Sequence, residues 1–371
     1  MKFICNQSEL VNALNISLKA VSTKTTLPIL ECVLLEASNG IIKLTSNDME
    51  LGIETSIEGR VDVPGKVALN AKLFSDMVRK LPEDIVIVEV DANNTAYLTS
   101  GKVKFNIPGQ SGEEFPLLPS VTRQTPVTVS QFTLKEVIRQ TIFSISDNDN
   151  NKIMTGEYFE IEDNELKVTS LDGHRISIRK VLMKDNYAKT AAIIPGKTLN
   201  EITKILGGDT DKTVSIYFMD RYVCFEFENT IMLSRLIDGK FYNVSQMLHN
   251  EFSTKVTVNK KQMIDCLDRA LLLVKESEKR PLIMDIKNDY ITMNMNSSIG
   301  NMDEEVMIQK DGDDLMIGFN PRFLMDALRA VDDEEICMYL SSARTPCFIR
   351  DNEENYIYLI LPVNIGNHQG E

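Results

Sequence analysis

The stretch VTVSQFTLKEVIRQTIFSI, residues 127–145, occurs in three variant copies along this chain. The other two are FICNQSELVNALNISLKAV at 3–21 and VTVNKKQMIDCLDRALLLV at 256–274. Each copy begins as a short strand, passes a helix-capping residue such as Ser130 or Asn259, and continues with apolar residues at helical spacing. The copies predict one strand-to-helix unit that is used three times.

A second strand-to-helix unit recurs at 67–81, 191–206 and 315–331, with Leu69, Ile194 and Phe319 in equivalent places 125 residues apart. The runs between the helices alternate apolar and polar residues and are broken by Asn, Asp and Gly, as in antiparallel meanders. We therefore predict an α+β chain of three similar domains, each with two helices and two four-stranded antiparallel sheets. The predicted domains are 1–125, 126–252 and 253–371. An arc or ring results if each domain meets the next at the same kind of edge.

The composition, 43% apolar and 25% charged, is typical of a folded globular protein. No stretch approaches the roughly 20 apolar residues of a membrane span, so we expect a cytoplasmic protein without membrane attachment. The six cysteines form no C-x-x-C pair, which favours buried reduced thiols over a zinc or redox site. We expect no metal and no cofactor.

The charge of the chain is distributed unevenly. Its net charge of −14 argues against nucleic-acid binding by overall attraction. The predicted helices, however, carry 13 basic and seven acidic residues, a net +6, and leave −20 for the rest. Helices lining one face would suit a polyanion contacted at its phosphates, without base-specific readout. The predicted helices are 7–21, 71–81, 130–144, 196–206, 259–274 and 321–331.

Two short motifs resemble enzyme motifs, but neither supports an enzymatic function. PGKT at 195–198 resembles the end of a phosphate-binding loop, but Ala191 stands where that loop needs a glycine. SLDGHRIS at 170–177 combines an aspartate, a histidine and an arginine, yet it lies between two alternating runs. Asp-Gly in that context predicts a β-turn.

The chain resembles the bacterial DNA polymerase III β subunits, the sliding clamps, over essentially its full length. The matching segments are TLPIL at 26–30, LTSNDMELG at 44–52, SLDGHRIS at 170–177, SRLIDGKF at 234–241 and YLILPV at 358–363. The resemblance implies half of a head-to-tail homodimeric ring, with helices around double-stranded DNA and sheets outside. It implies a non-catalytic tether whose partners are DNA of any sequence, the polymerase III α subunit, the clamp loader and other proteins with clamp-binding motifs.

The resemblance also implies a pocket for short peptide motifs, with an apolar groove for leucine and phenylalanine side chains and with His174, Arg175 and Asn320 as polar groups. The chain departs from the family at Arg344, Pro346 and the terminal GNHQGE. The pocket positions that match the family are Met154, Leu171, Gly173, His174, Arg175, Ile176, Met247, Asn320, Phe323, Leu359, Ile360, Leu361, Pro362 and Val363.

Two further sets of residues follow from the same resemblance. The matching DNA-facing positions are Lys24, Asn148, Lys152, Lys197 and Lys204. At the dimer edge, the first domain would meet the third domain of a second chain in a heterologous contact that can close a ring. The positions in this edge are Lys102, Lys104 and Phe105 on one side, and Leu272, Leu273, Glu304 and Glu305 on the other.

Two alternatives stay open at the level of sequence. The first is a clamp-like scaffold that binds partners without encircling DNA, and charge reversal of the helix lysines separates it from a clamp. The second is a hydrolase using Asp172, His174 and Arg175, which predicts a substrate turnover that His174→Ala abolishes.

Overall fold

The computed structural model describes residues 1–22, 25–120, 125–148, 150–248, 251–275 and 280–365. The chain forms two compact units, Met1–Thr133 with Asn200–Leu236, and Leu134–Leu199 with Ile237–Glu371. Each unit contains segments from two neighbouring repeats, so the limits of the three domains stay a prediction.

Six α-helices occur in the described residues, two in each repeat. Asparagine or serine caps the first helix of each repeat at equivalent places: the Asn6 side chain accepts from the Ser8 amide at 2.9 Å, Ser130 from Thr133 at 3.0 Å and Asn259 from Gln262 at 3.1 Å. These bonds satisfy amides that have no partner within the helix. The helices are α1 Gln7–Ser17, α2 Ala71–Arg79, α3 Gln131–Arg139, α4 Gly196–Ile205, α5 Lys260–Leu271 and α6 Pro321–Ala330.

The first helices of the first two repeats end earlier than predicted. α1 stops at Ser17 instead of residue 21, and α3 stops at Arg139 instead of residue 144, each followed by a short 3-10 turn. Serines on strands of the sheets form hydrogen bonds to carbonyls at these helix ends. The Ser46 hydroxyl donates to Ser17 O and the Ser170 hydroxyl donates to Thr141 O, both at 2.6 Å. Apolar periodicity does not reveal such long-range partners.

The strands of the first repeat are β1 Lys2–Asn6, β2 Cys32–Ser38, β3 Ile41–Asn47, β4 Leu51–Glu58, β5 Arg60–Val63, β6 Gly65–Asn70, β7 Ile85–Val90, β8 Thr95–Ser100, β9 Val103–Pro108 and β10 Gln110–Ser111. The second repeat contributes β11 Val127–Ser130, β12 Gly156–Leu171, β13 Arg175–Pro195, β14 Thr213–Phe218, β15 Tyr222–Phe227 and β16 Thr230–Arg235. The third contributes β17 Thr254–Asn259, β18 Leu282–Lys287, β19 Tyr290–Ser297, β20 Gly300–Gly312, β21 Leu315–Phe319, β22 Glu335–Leu340, β23 Cys347–Arg350 and β24 Tyr356–Ile360.

The sheets are antiparallel, as predicted, but larger than four strands. One unit holds a five-stranded sheet, β5-β1-β7-β8-β9, and a nine-stranded sheet, β10-β6-β2-β3-β4-β16-β15-β14-β11. The other holds a ten-stranded sheet, β12-β13-β24-β23-β22-β17-β20-β19-β18-β21. The sheets grow because β4 pairs with β16 in one unit and β13 pairs with β24 in the other. An exposed edge has unpaired amides and carbonyls, and pairing with the next repeat satisfies them.

Each unit has its own apolar core. In the first, Phe3, Leu10, Leu14 and Phe74 are fully buried in one cluster. In the second, a large core around Leu267 is accompanied by a smaller cluster on β12, β13, β23 and β24. This smaller cluster contains Leu171, Ile176 and Leu359 of the predicted pocket, and Met154 packs against it.

Candidate functional site

A tight turn joins β12 to β13 at Asp172 and Gly173. Oδ1 of Asp172 accepts hydrogen bonds from the backbone amides of His174, at 2.8 Å, and Arg175, at 3.1 Å. Gly173 has a φ of +89°, a backbone conformation that side chains with a Cβ seldom adopt. The predicted turn is therefore present, and it orients the two residues that follow it.

Arg175 is held on every side of its guanidinium. Nε donates to Asp172 Oδ2 at 3.0 Å, one terminal nitrogen donates to Asp326 Oδ2 at 2.6 Å, and the other donates to the carbonyl of Phe143. The guanidinium also lies 4.4 Å from the ring centre of Phe323. Only 11% of the side chain is exposed. The family resemblance implies that Arg175 is a polar group of the pocket, and its contacts in the structure join the turn to α6.

His174, in contrast, is exposed and lies at the surface of the site. Its ring stacks on Phe323 with 6.1 Å between centroids and 24° between planes. Phe323 lies in the first turn of α6, which Asn320 caps by accepting from the Arg322 amide at 3.0 Å. The arginine, the histidine and the cap of α6 therefore form one end of the site.

The floor of the site is a row of apolar side chains across neighbouring strands. Leu171 pairs with Ile176, Ile176 with Leu359, and Leu359 with Phe348. Side chains of paired residues lie on the same face of a sheet, so these four form a continuous surface. All four are buried within the smaller apolar cluster.

The connecting segment after β16 crosses this floor. Phe241 stacks on Tyr158 with 4.7 Å between ring centroids, and Val244 packs in the same cluster. Met154 packs against the cluster as well, while Met247 is 53% exposed. An exposed methionine beside a buried apolar floor is suited to meeting an apolar partner, because its side chain is flexible and polarisable.

The C-terminal segment forms the remaining wall. The amide of Leu361 donates to His174 O at 2.9 Å, which ties the segment to the turn. Leu361 is 38% exposed, and Pro362 and Val363 are half-buried. Ile360 points to the opposite face of the sheet, where it is buried in the larger core, so it contributes to the wall only through its backbone.

These elements bring together the parts of the predicted groove: an apolar floor, half-exposed apolar walls and a polar end. Arg344 lies in the loop between β22 and β23, where it is exposed and its amide donates to the Ser342 hydroxyl at 3.3 Å. Such a groove can hold large apolar side chains of an extended peptide while backbone groups at its walls provide orientation.

The predicted DNA-facing residues are all polar and solvent-accessible where they are described. Asn148 is exposed before a short 3-10 turn, Lys152 is exposed as the first residue of that turn, and Lys197 and Lys204 are exposed on α4. Lys204 pairs with Glu201 at 2.8 Å. Lys24 lies outside the described residues.

The DNA-facing set implied by the family resemblance includes Lys197 and Lys204 of α4 but not their equivalents on α2 and α6. Lys72 and Arg79 of α2, and Arg322 and Arg329 of α6, stand at the same two places 125 residues before and after them, and all four are exposed. The signal was present in the 125-residue period, which relates each pair to the next. Each pair spans seven residues, about two helical turns, so both side chains lie on the same face of their helix.

The predicted dimer residues lie on two strand edges and one helix end. Lys102 precedes β9, and Lys104 and Phe105 lie within it. Glu304 and Glu305 lie on β20, and Leu272 follows α5 with 76% of its side chain exposed. Arg269 holds the Glu304 carboxylate by two hydrogen bonds, which lowers the pKa of Glu304 and keeps it charged.

One buried acid in the second unit belongs to none of these sets. Both carboxyl oxygens of Glu157, on β12, are without a hydrogen-bond partner in the described part of the chain. Burial raises the pKa of Glu157 well above its ordinary value of 4.5, and the nearby Thr141 hydroxyl offsets only part of this effect. The folded state therefore holds a proton on Glu157 that the unfolded state releases above pH 4.5.

Glu157→Gln is expected to flatten the pH dependence of stability. Because the pKa of Glu157 is raised by folding, wild-type stability falls as pH rises above the unfolded value, and a neutral glutamine removes this dependence. The midpoint temperature of the variant, measured between pH 5 and 9, should exceed that of wild type by a few degrees at the alkaline end and converge with it at the acidic end. Parallel curves over this range would show that Glu157 is already ionised in the folded protein.

No group of three or more histidine, cysteine, aspartate or glutamate side chains with the geometry of a metal site occurs among the described residues. The helices that the structure describes include none with the length and hydropathy required to cross a membrane.

Comparison with known proteins identifies the family. The three domain models of the DNA polymerase III beta subunit match in order: the N-terminal domain at residues 1–119, the central domain at 128–243 and the C-terminal domain at 245–364. The beta sliding clamp of Bacillus subtilis is 34% identical over 376 residues, which span 98% of this chain and 99% of the relative. That of Staphylococcus epidermidis is 32% identical with the same coverage.

Solved structures agree with this assignment. A crystal structure of a putative DNA polymerase III beta subunit from Eubacterium rectale is 54% identical, with a TM-score of 0.96, and the match covers 98% of this chain and 99% of that one. The sliding clamp of Bacillus subtilis gives a TM-score of 0.95 at 33% identity and the same coverage. The chain therefore belongs to the DNA polymerase III beta subunit family, the beta sliding clamps of bacteria.

Proposed function

We propose that this chain works as a DNA sliding clamp: two copies form a ring around double-stranded DNA and tether the replicative polymerase to it. The observation that carries the proposal is the ordered match of all three family domains along residues 1–364. A scaffold that does not encircle DNA is the less favoured alternative.

The basic residues of the second helices are the proposed DNA contacts. Lys72, Lys197 and Arg322 are exposed at one repeated position, and Arg79, Lys204 and Arg329 at the other. Contacts to phosphates carry no sequence information, and they allow a protein to slide because no register is preferred. Asn148 and Lys152 add polar contacts in the same proposal.

Charge reversal of these residues tests whether the chain encircles DNA. The variant Lys72→Glu, Lys197→Glu and Arg322→Glu should be retained in a smaller amount on a linear duplex whose ends are blocked after the protein is added, because the reversed charges repel the phosphates that the ring must pass to thread on. Because the ring contains two chains, six lost phosphate contacts should also reduce the slope of log affinity for an open duplex against log salt by about 5. Retention is measured as the amount of fluorescent protein that stays on bead-bound DNA after washing.

The matched control reverses charges on strands. Lys189→Glu with Lys287→Glu removes basic residues that pair with Glu162 and Asp285 outside the helices, and should leave retention unchanged. Cutting the wild-type DNA should release the protein at once. Equal retention of both variants, or no release on cutting, would favour the scaffold.

Two open strand edges support the proposed homodimer. In the described residues, β9 pairs only with β8, and the part of β20 from 300 to 307 pairs only with β19. An open edge is a template for a strand of another chain. β9 and Lys102 would bring lysines against Glu304 and Glu305 of the second copy, and two such heterologous contacts close a ring.

The groove is the proposed docking site for peptide motifs of partner proteins. Its floor of Leu171, Ile176 and Leu359 suits leucine and phenylalanine side chains, with Met247 and Leu361 at the walls. The proposed partners are the polymerase III α subunit, the clamp loader and other proteins that carry clamp-binding motifs, in the bacterial cytoplasm.

We propose no catalytic role. The acid and the nearest serine of the SLDGHRIS motif are otherwise engaged: Asp172 binds two backbone amides and Arg175, and the Ser177 hydroxyl lies 2.5 Å from that of Ser144, both buried. A hydrolase would need a nucleophile within reach of His174.

A further inference from the structure

The C-terminal segment after β24 is attached at two alternate residues. The amide of Leu361 donates to His174 O at 2.9 Å, and the amide of Val363 donates to Gly318 O at 2.8 Å. The first bond joins the segment to the turn of the groove, and the second joins it to β21, the last strand of the ten-stranded sheet. The wall of the groove is therefore held from both ends of a three-residue span.

Gly318 leaves the space that the segment occupies. A Cβ at this position would overlap Cγ2 of Ile365, and it would lie 3.2 Å from Val363 O and 3.3 Å from Cβ of Pro281. The neighbours of Gly318 on β21, Ile317 and Phe319, point into the larger core, so Gly318 faces outward under the segment. Gly318 is nevertheless buried, which shows that the segment covers it.

Met316 lies two residues earlier on the same strand and on the same outward face, and it is 48% exposed. The segment therefore covers the face of β21 at Gly318 and not along its whole length. The segment can contact β21 because Gly318 has no side chain at this position.

We propose that Gly318 and Ile365 are positioning residues for the peptide groove: Ile365 packs on the bare backbone of Gly318, and this contact sets the place of Leu361, Pro362 and Val363. The proposal rests on the proposed peptide-binding function of the groove. Displacement of Ile365 strains the Val363–Gly318 bond first, and the wall moves because only the Leu361–His174 bond then holds it.

The test compares substitutions on β21 in the full-length chain. The probe is a fluorescein-labelled peptide that contains consecutive leucine and phenylalanine, and binding is measured by fluorescence anisotropy. Gly318→Val is expected to raise the Kd at least tenfold, because its Cβ overlaps Cγ2 of Ile365 and its γ carbons add further bulk beside the segment. Met316→Val places the same β-branched side chain on the same face but outside the segment. It should leave the Kd within about twofold of the wild-type value.

A double-substitution cycle separates positioning from a general loss of stability. Gly318→Ala and Ile365→Ala should each weaken binding, and Gly318→Ala should cost less in the Ile365→Ala background, because Cγ2 is already absent. Additive losses, or an unchanged Kd for both Gly318 variants, would overturn the proposal. If Gly318→Val fails to fold, the alanine cycle decides alone. Failure of the wild-type chain to bind the peptide would instead overturn the proposed peptide-binding function.

Discussion

Replacement of Arg175 with alanine is expected to abolish peptide binding and to lower the free energy of unfolding of its unit by about 3 kcal/mol. The substitution leaves Asp172, Asp326 and the carbonyl of Phe143 without their shared partner, and it removes the cation that lies on Phe323. Breaking a buried ion pair lowers the free energy of unfolding by about 3 to 5 kcal/mol. We expect the lower value because 37% of the Asp326 side chain is exposed. Chemical denaturation and peptide anisotropy measure the two effects.

Arg175→Lys should recover only part of both effects. An ammonium group cannot bond three separated acceptors and lie flat on an aromatic ring in the way a guanidinium does. Lys189→Ala, which removes an exposed ion pair with Glu162, should change neither stability nor binding. Wild-type stability and affinity in Arg175→Ala would show that the turn and α6 hold the groove without the arginine.

Leu272→Asp is expected to convert the protein from a dimer to a monomer. Leu272 is 76% exposed in the single chain, so the change should leave the fold of the chain intact. In the proposed dimer it places a carboxylate in an apolar contact beside Glu304 and Glu305, where burial and like charge both oppose it. Light scattering should then give the mass of one 41.9 kDa chain, and retention on closed DNA should be lost.

The chain offers a close control for this change. Leu182 on β13 is also 76% exposed, and Leu182→Asp adds the same charge away from the proposed dimer edge. It should remain a dimer and stay on closed DNA. Dimers of equal mass for both variants at micromolar concentration would place the contact between chains elsewhere.

Local interactions explain why much of the site was predictable. The caps at Ser130 and Asn259 and the turn at Asp172 use side chains that bond amides two or three residues away. The alternation of Leu171 and Ile176 with polar neighbours follows from the period of a strand. Each of these features is contained within a few consecutive residues, so the pattern of residue types is sufficient to indicate it.

The role of Arg175 was not predictable in the same way. Its partners Asp326 and Phe143 lie 151 and 32 residues away along the chain, and their sequence contexts show no sign of the pairing. The sequence marked Arg175 as a polar group at the groove. The bonds to α6 and to the Phe143 carbonyl show that it also joins the elements around the groove.

The sequence by itself determined the three-fold repeat, the strand-to-helix units, the helix caps and the turn, because these depend on periodicity and on bonds between near neighbours. Only the tertiary structure decided which strand edges join to make the nine- and ten-stranded sheets, where α1 and α3 end, and how the C-terminal segment lies on Gly318. These depend on backbone groups brought together by chain folding, and any exposed edge or helix end offers the same unpaired amides and carbonyls. The packing of the whole unit determines which of these amides and carbonyls pair with each other.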